Sequence, residues 1–250
     1  MIVHEYLNYY SGNLGNQLFK IAASVSLART TGGQVGIHKQ SIPETLLKFF
    51  DICEPIQFVD RLPSQRWCED HPLKFKEDFY DQGNDCCING YLQTSKYQRN
   101  VDVRSLFRLK NEFHETYKTL YKKYSNSTII HIRKTDYRLH ATLDICGPSY
   151  YQALLNTLEN TACIMTDDPG WVAANLVLPA SCSMLEPMSQ IDAFLTMSVA
   201  KILYIANSSY SWWAAKWGQH DKIYAPNKWF SDTIIAESDV GEPDWIYLSC

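Results

Sequence analysis

The stretch STIIHIRKTDY, residues 127–137, decides the fold. Its first half is a short apolar run rich in β-branched residues, which is typical of a buried strand in a parallel sheet, and its second half is polar and charged. Two later stretches repeat this pattern, TACIMTDD at 161–168 and KILYIANSS at 201–209. Helical patterns separate the three runs, so the sequence predicts an α/β fold with a parallel sheet.

The first half of the chain has the same rhythm with weaker patterning. We expect a strand over Ile2–Asn8, the turn SGNLGNQ, and a helix that ends at Gly32-Gly33. Residues 51–85 have poor periodicity and are predicted to be variable loop with a short strand. A short helix is predicted within 41–50, because the stretch starts with Ser, Pro and Glu in the spacing of a capping box. The other predicted elements are a strand over 86–90 and helices over 117–124, 150–159, 169–175 and 191–198.

Length and charge limit the classes of protein. A chain of 250 residues can form one large α/β domain or two half-size lobes. Its formal net charge of -4 does not provide the basic face that nucleic-acid binding needs, so we expect no nucleic-acid partner. The N-terminus has no signal-peptide pattern, no apolar run approaches the ~20 residues of a membrane span, and the eight cysteines include no CxxC pair. We therefore expect a cytoplasmic protein without a membrane anchor, a zinc site or a thioredoxin-like site.

Polar side chains follow each of the three apolar runs. The carboxyl ends of parallel strands meet at one edge of a sheet, which is where α/β proteins bind ligands. We therefore expect a group of residues to converge on one site. They are His131, Arg133, Thr166, Asp167, Asp168, Asn207 and Ser208.

Arg133 is the candidate for binding an anion. Alternation along the strand places His131 and Arg133 on the same side, and Asp136 is spaced to orient the guanidinium through a bidentate ion pair. An arginine with helix N-termini and hydroxyls can hold a diphosphate without a metal. A purely structural Arg-Asp ion pair is the alternative interpretation.

The acidic pair Asp167-Asp168 ends one strand and precedes a predicted helix. A carboxylate at this position can accept the N1 and N2 hydrogens of guanine, or it can cap the helix. The pair lacks the intervening residue of the metal-binding DxD pattern, and no His or third acid lies nearby in the sequence. We therefore expect no metal.

Three further blocks lie at turns. The block ANSSYSWW, 206–213, predicts an anion cradle formed by Asn207, Ser208, Ser209 and Ser211. In GNLGNQLF, 12–19, Gly15 would let the backbone approach a ligand while Asn16 and Gln17 present amides, although a mere tight turn is the alternative. A plain β-turn explains GYLQTSKY at 90–97.

Together these blocks resemble glycosyltransferase family 11, the α-1,2-fucosyltransferases. The motifs occur in the family's order and span nearly the whole chain. They are GNLGNQLF, GYLQTSKY, HIRKTDY, TDDPGW, DAFLTMS, ANSSYSWW and IYAPNKWF. The compact chain looks like a bacterial or viral member.

The resemblance implies a GT-B-like α/β fold with two Rossmann-like lobes facing a central cleft. An N-terminal acceptor-side lobe would cover 1–125, a C-terminal GDP-fucose-binding lobe 126–225, and a tail packing back on the lobes 226–250. The implied reaction is the inverting, metal-independent transfer of L-fucose from GDP-fucose to a hydroxyl of a glycan acceptor, here the 2-hydroxyl of a galactoside. No cofactor is implied.

The resemblance also implies roles for individual residues. The implied donor-binding residues are Gly15, Asn16, Gln17, His131, Arg133, Asp167, Asp168, Asn207, Ser208, Ser209 and Ser211. Arg133 would bind the GDP pyrophosphate and stabilise the leaving group, with one of the two aspartates near the nucleotide and the three serines along the phosphates. Asn16 would face the fucose and the acceptor.

The sequence leaves three candidates for the base that takes the acceptor proton. Asp136, His140 and Asp144 follow Arg133 closely, and an inverting transfer needs such a group. Asp136 can instead be wholly occupied in orienting the arginine.

Three other functions are weighed against this one. Thr135 matches a form found in α-1,6-fucosyltransferases, so an α-1,6 or protein-modifying fucosyltransferase is the first alternative. A nucleotide-sugar or glycan-binding module without turnover is the second, although in such a module Arg133 or Asn16 would be expected to be replaced. A Rossmann oxidoreductase is disfavoured because GNLGNQ does not have the GxGxxG spacing.

Overall fold

The computed structural model describes residues 1–4, 13–231, 233–234 and 237–250. The chain forms two compact α/β units, Met1–Glu112 with Ser238–Val240 and Phe113–Glu237 with Gly241–Cys250. The first boundary therefore falls after residue 112, whereas the sequence places it after residue 125. The helix His114–Tyr124 accounts for the difference, because it packs on the helix Gln190–Val199 of the second unit.

The first unit is built on a five-stranded parallel sheet. Its strands are β1 (Ile2–His4), β2 (Val35–His38), β4 (Ile56–Val59), β5 (Arg66–Cys68) and β6 (Cys86–Asn89), in the order β4-β2-β1-β6-β5. Two more strands, β3 (Phe50–Ile52) and β7 (Phe107–Leu109), pair antiparallel. The strands predicted over 2–8 and 86–90 are both present, although residues 5–8 of the first lie outside the described residues.

Helix α1, Leu14–Thr31, packs on β1. It is buried on nearly all sides, because α2 (Glu44–Phe49) and two 3₁₀ helices, Glu77–Asp81 and Ser95–Gln98, contact it away from the sheet. The helix ends as predicted at Gly32, which has a left-handed φ of 70° and donates its N–H to the carbonyl oxygen of Ala28.

Helix α2 lies inside the predicted range 41–50 but begins differently. The predicted capping box is absent, because its N-cap position is Pro43, which makes no side-chain cap. The side chain of Gln17 in α1 substitutes for the cap, since its Oε1 accepts the N–H of Leu46 at 2.8 Å. The short helix α3, Val103–Leu106, follows later in the unit.

Residues 51–85 contain more structure than their periodicity predicts. Strands β4 and β5 and the 3₁₀ helix Glu77–Asp81 all lie there. The segment is held by an aromatic cluster in which Trp67, Phe79 and Tyr97 are buried edge to face, with ring centroids 4.7–6.0 Å apart. Isolated aromatic anchors leave no helical or alternating pattern in the sequence.

The second unit is built on a six-stranded parallel sheet. Its strands are β8 (Thr128–Ile132), β9 (Ala162–Thr166), β10 (Cys182–Met184), β11 (Ile202–Tyr204), β12 (Lys222–Pro226) and β15 (Ile246–Leu248), in the order β10-β9-β8-β11-β12-β15. The three strands predicted from apolar runs are β8, β9 and β11. A small antiparallel pair, β13 (Lys228–Phe230) and β14 (Thr233–Ile234), lies outside this sheet.

The helices of the second unit are the four whose ranges were predicted and a fifth, Ser209–Trp217, for which no range was predicted. They are α4 (His114–Tyr124), α5 (Pro148–Asn156), α6 (Pro169–Asn175), α7 (Gln190–Val199) and α8 (Ser209–Trp217). Within the part of the chain that the structure describes, no helix has both the length and the hydropathy needed to cross a bilayer.

The C-terminal stretch is divided between the two units. Strand β15 extends the sheet of the second unit beside β12, whereas residues 238–240 belong to the first unit. Asp239 binds there through both carboxylate oxygens, accepting the N–H of Phe75 at 2.7 Å and pairing with Lys96 Nζ at 2.6 Å. The stretch predicted as one tail therefore serves both units.

Gly32→Ala is expected to lower the free energy of unfolding by about 1 kcal/mol. A Cβ there would meet no atom within 4 Å, so the cost comes only from the left-handed backbone. Gly83→Ala is the matched control, because Gly83 has no left-handed φ and an added Cβ would make ordinary contact with Gln65. Urea denaturation followed by circular dichroism measures both variants, and an equal loss in the two would contradict the argument.

Candidate functional site

The carboxyl ends of β8, β9 and β11 lie side by side in the second unit. Ile132 pairs with Thr166 across β8 and β9, and Tyr204 pairs with Ile130 across β11 and β8. The polar residues that follow these strands therefore reach one edge of the sheet, as the sequence predicts. Salt bridges and hydrogen bonds connect them there.

The Arg133 guanidinium lies between two carboxylates. Its Nη2 is 2.7 Å from Asp136 Oδ1, and its Nη1 is 2.9 Å from Asp167 Oδ2. The predicted ion pair with Asp136 is present, but the second nitrogen pairs with Asp167 rather than with Asp136. The side chain remains 25% exposed, and its other N–H donors are available to an anion.

Asp167 also fixes the loop that carries Arg133. Its carboxylate accepts the backbone N–H of Lys134 at 2.8 Å and that of Thr135 at 3.2 Å. The Thr135 hydroxyl donates to the Asp167 carbonyl oxygen at 2.9 Å. Asp167 thus couples the end of β9 to the end of β8, which is a different role from the predicted guanine contact.

Asp168 caps helix α6. Its Oδ1 accepts the N–H of Trp171 at 2.9 Å, and its Oδ2 lies 3.2 Å from Arg138 Nη1. The capping alternative is therefore confirmed for Asp168. Apart from this ion pair, Asp168 Oδ2 is buried without a hydrogen-bond partner among the described residues. A contact between guanine and either aspartate stays a prediction.

Lys134 points into the protein. Its side chain is 1% exposed, pairs with the carboxylate of Asp144, and lies with Nζ 4.4 Å from the ring centroid of Trp171. Asp144, one of the three candidate bases, is thereby held as the partner of a buried cation. His140 lies in the exposed turn between Lys134 and Asp144, where its N–H donates to the Tyr137 carbonyl oxygen at 2.9 Å, and its role as a base stays a prediction.

Two residues of the predicted anion cradle have their side chains engaged within the protein. The Asn207 amide donates to the carbonyl oxygens of Leu143 and Trp229, each at 3.0 Å. The Ser211 hydroxyl is fully buried and donates to the carbonyl oxygens of Ala206 and Ser208 at 3.3 Å. These two side chains therefore hold the loop together, and a contact between them and a phosphate stays a prediction.

The N-terminus of α8 lies at the same edge as Arg133. The first helical bond runs from the N–H of Trp212 to the carbonyl oxygen of Ser208, whose side chain does not cap the helix. The earlier N–H groups of the first turn have no acceptor within the helix and carry partial positive charge. The Ser208 side chain instead bonds the hydroxyl of Tyr137, and burial raises the pKa of Tyr137 to about 12, so the phenol stays protonated.

His131 is a buried, neutral histidine. Its side chain is 6% exposed, and its ring centroid lies 6.3 Å from that of Tyr210. Burial lowers the pKa of its imidazole to about 4, with Asp167 opposing the shift and Arg133 adding to it. Its Nδ1 is buried and has no hydrogen-bond partner among the described residues, so a ligand atom that bonded it would remove a desolvation cost.

Gly15, Asn16 and Gln17, from the block GNLGNQLF, have different surroundings in the first unit. Gly15 is buried in the first turn of α1, and the buried Gln17 bonds the N–H of Leu46, so both stabilise the fold. The partly exposed Asn16 accepts a hydrogen bond from Gln93 Nε2 at 3.0 Å, which joins the first block to GYLQTSKY. Asn16 is thus the member of this trio that a ligand can reach, while Gly12 lies outside the described residues.

Periodicity does not reveal a second charged cluster, which lies at the carboxyl ends of β1, β5 and β6. Glu69 directly follows β5, and its carboxylate accepts the backbone N–H of Tyr91 at 2.7 Å and that of Leu92 at 3.1 Å. Lys20 of α1 is buried near it, with Nζ 5.4 Å from the ring centroid of Tyr91. Glu69 lies in the poorly patterned stretch 51–85, and only its position just after a strand marks it in the sequence.

A resident metal has no obvious set of ligands in the described ranges. Across 1–4, 13–231, 233–234 and 237–250, no three His, Cys, Asp or Glu side chains are grouped closely enough to hold an ion. This observation leaves the predicted metal independence of the reaction as a prediction.

The fold of the chain is that of the GT-B-like glycosyltransferases. The NodZ fucosyltransferase from Bradyrhizobium matches with a TM-score of 0.53 at 13% identity, over 85% of this chain and 91% of that chain. The NodZ α-1,6-fucosyltransferase soaked with GDP-fucose matches with a TM-score of 0.53 at 12% identity, over 87% and 92%. A FUT1 mutant from Arabidopsis thaliana in complex with GDP matches with a TM-score of 0.51 at 9% identity, over 90% and 70%.

The sequence identifies the family within this class. The model of glycosyl transferase family 11 matches residues 8–249, and the chain belongs to that family. The O-antigen biosynthesis glycosyltransferase WbnK of Escherichia coli is 29% identical over 205 residues, which is 68% of this chain and 66% of WbnK. That match thus spans just under two thirds of the relative's length. The resemblance carried by the seven sequence blocks is confirmed at the level of the family.

Asp168→Ala is expected to lower the free energy of unfolding by about 1 kcal/mol, because it removes the N-cap acceptor of α6. Asp168→Asn keeps an oxygen for the Trp171 N–H and is expected to stay within about 0.5 kcal/mol of the wild type. Chemical denaturation followed by tryptophan fluorescence compares the two. Equal losses would assign the stabilisation to the ion pair with Arg138 instead of the cap.

Proposed function

We propose that this protein transfers L-fucose from GDP-fucose to a glycan hydroxyl, with inversion at the anomeric carbon and without a metal ion. The observation that carries the proposal is Arg133, which two carboxylates orient and which remains partly exposed at the carboxyl edge of the second sheet. The GDP-fucose and GDP present in the NodZ and FUT1 structures support a GDP-sugar donor.

The pyrophosphate would bind Arg133 and the first turn of α8. As the bond between fucose C1 and the phosphate oxygen breaks, its electron pair leaves with GDP, and the guanidinium stabilises the charge that develops. The N–H groups of the first turn and the Ser209 hydroxyl would contact the same phosphates. The positive charge needed for the leaving group then comes from the protein rather than from a cation.

An incoming diphosphate competes with the existing partners of Arg133. The ion pair between Arg133 and Asp136 is the easier one to break, because the Asp136 side chain is 51% exposed. The Asp167 carboxylate is in addition held in place by two backbone N–H groups. We therefore expect the phosphate to displace Asp136 while Asp167 keeps the guanidinium in place. His131, neutral at pH 7, would add its free Nδ1 as a hydrogen-bonding group.

The acceptor is proposed to be a galactoside that reacts at its 2-hydroxyl. The support is the resemblance of the seven sequence blocks to the α-1,2-fucosyltransferases. One residue within these blocks, Thr135, instead matches the form found in α-1,6-fucosyltransferases. Its hydroxyl bonds the Asp167 carbonyl oxygen, a contact that orders the donor loop and carries no information about the acceptor. An α-1,6 linkage is the second candidate, since the NodZ relatives by fold are α-1,6 enzymes.

An assay of GDP release from GDP-fucose tests both the identity of the donor and the need for a metal ion. We expect turnover that persists in EDTA, that requires fucose rather than mannose on the nucleotide, and that rises with a galactose-terminated acceptor. A non-galactose glycan serves as the acceptor control, and mass spectrometry with linkage analysis of the product separates α-1,2 from α-1,6. Loss of turnover in EDTA that Mg²⁺ or Mn²⁺ restores would contradict the metal-independent mechanism.

Arg133→Ala is expected to lower kcat/KM more than a hundredfold, about 3 kcal/mol of transition-state stabilisation, because it removes the charge that meets the leaving group. Arg108→Ala is the matched control, since that arginine lies on β7 of the first unit with 67% of its side chain exposed. The GDP-release assay measures both variants. Near wild-type turnover in Arg133→Ala would remove the basis of the mechanism.

A further inference from the structure

The turn after β8 places the ring of Tyr137 against the Arg133 guanidinium. The residue begins the 3₁₀ turn Tyr137–Leu139, and the guanidinium carbon of Arg133 lies 5.6 Å from the centroid of the ring. A cation at this distance from the face of an aromatic ring is attracted by its π electrons. The ring is therefore a third contact of the guanidinium, besides the carboxylates of Asp136 and Asp167.

The phenol group of the same side chain reaches the loop before α8. Its hydroxyl donates to the carbonyl oxygen of Asn207 at 3.1 Å, and the hydroxyl of Ser208 bonds the phenol oxygen. Burial raises the pKa of Tyr137 to about 12, so the phenol keeps the proton that it donates. One side chain thus contacts both the arginine and the two residues that precede α8.

The backbone that Tyr137 contacts is continuous with the first turn of α8. The carbonyl oxygen of Ser208 accepts the first helical N–H, that of Trp212, at 2.9 Å. The side-chain amide of Asn207 bonds two further carbonyl oxygens of the same unit, each at 3.0 Å. Because this backbone is held at several points, a group bonded to it keeps a set distance from the N–H groups of the first turn.

Arg133 is thereby fixed in two directions. Asp167 ties the guanidinium to the end of β9, and Tyr137 ties it to the loop before α8. A diphosphate that bonds both the guanidinium and the first-turn N–H groups needs them at a set separation, whereas a monophosphate can bond either group alone. Preorganising that separation favours the diphosphate, because less freedom is lost on binding.

We propose that Tyr137 is a positioning residue that sets the distance between Arg133 and the first turn of α8 for a nucleoside diphosphate. This inference rests on the proposed function, in which the pyrophosphate of the donor bonds both groups. Tyr137 acts through the guanidinium on one side and the Asn207 carbonyl on the other, so it need not touch the donor. When a phosphate displaces Asp136, the ring and Asp167 still hold the guanidinium.

Tyr137→Phe tests the proposal, since it keeps the ring beside Arg133 and removes the hydroxyl that bonds Asn207. Calorimetry measures the affinity for GDP directly and the affinity for GMP by its competition with GDP. We expect GDP to bind about tenfold more weakly to the variant, the order of effect of one hydrogen bond. The affinity for GMP should stay within about twofold of the wild type, because GMP does not depend on the separation of the two groups.

The reaction should respond in the same direction as GDP binding. The kcat/KM for GDP-fucose with acceptor is expected to fall at least tenfold in Tyr137→Phe, because the charge on the diphosphate is larger in the transition state than in the bound donor. Tyr121→Phe is the matched control. Tyr121 lies on α4 of the same unit with 54% of its surface exposed, and this variant should keep wild-type affinities and wild-type kcat/KM.

Tyr137→Leu separates the ring from the hydroxyl. It removes both contacts, so we expect it to bind GDP about threefold more weakly than Tyr137→Phe does, the order of effect of an exposed cation–π contact. Equal GDP affinities of the two variants would overturn the coupling of Tyr137 to Arg133. Circular dichroism melts set an assay temperature at which each variant is folded, so that a loss of binding is not a loss of fold.

The comparison of GDP with GMP distinguishes positioning from a purely structural role. Equal weakening of both nucleotides in Tyr137→Phe, or wild-type affinity for GDP in that variant, would overturn the proposal. A wild type that neither binds GDP nor releases it from GDP-fucose contradicts the proposed function itself. A wild type that binds GDP more tightly than GMP, with Tyr137→Phe unchanged for both, contradicts only the role of Tyr137.

Discussion

The clamp of Arg133 between Asp136 and Asp167 is the interaction on which the candidate site depends. An unpaired arginine side chain samples many rotamers and loses that freedom when it binds an anion. Here the loss has already occurred on folding, because Asp167 ties the guanidinium to the end of β9 and at the same time bonds two backbone N–H groups beyond β8. The orientation of the charge is therefore set by the sheet itself rather than by a loop.

The same arrangement of a carboxylate and backbone N–H groups occurs in both units. In each, a carboxylate just beyond a parallel strand accepts two consecutive backbone N–H groups, Asp167 in the second unit and Glu69 in the first. Asp167 then faces a guanidinium that neutralises it, whereas Glu69 faces the buried ammonium of Lys20. Burial outweighs that neighbour, and the carboxyl of Glu69 holds its proton to a higher pH than usual.

Strands and helices of the second unit could be predicted because local physics determines them. Short apolar runs predicted β8, β9 and β11, and the helix predicted after the acidic pair Asp167-Asp168 is α6. The convergence of the polar residues followed from parallel topology alone. The first unit was harder, since its middle segment is held by scattered aromatic side chains that leave no period.

The role of each polar residue could be predicted less well than its position. A sequence shows which side chains can donate a hydrogen bond but not which acceptor folding brings to them. Asn207 and Ser211 are donors at a helix N-terminus, yet their partners are carbonyl oxygens of the protein. Lys134 likewise has a charge suited to phosphate, but Asp144 and Trp171 enclose it. Glu69 was not predicted as a site residue, because the stretch 51–85 around it has no helical or alternating pattern.

The division of the C-terminal stretch has a consequence for how the chain folds during synthesis. Residues 238–240 complete the first unit, and β15 completes the sheet of the second. Although most of the first unit is made before residue 113, Asp239 reaches Phe75 and Lys96 only after nearly all of the second unit has left the ribosome. An N-terminal domain generally folds while the next is translated, but during that time the first unit lacks the two contacts that Asp239 makes. The nascent first unit acquires these contacts only from a segment that lies 164 residues beyond Phe75 and 143 residues beyond Lys96 along the chain.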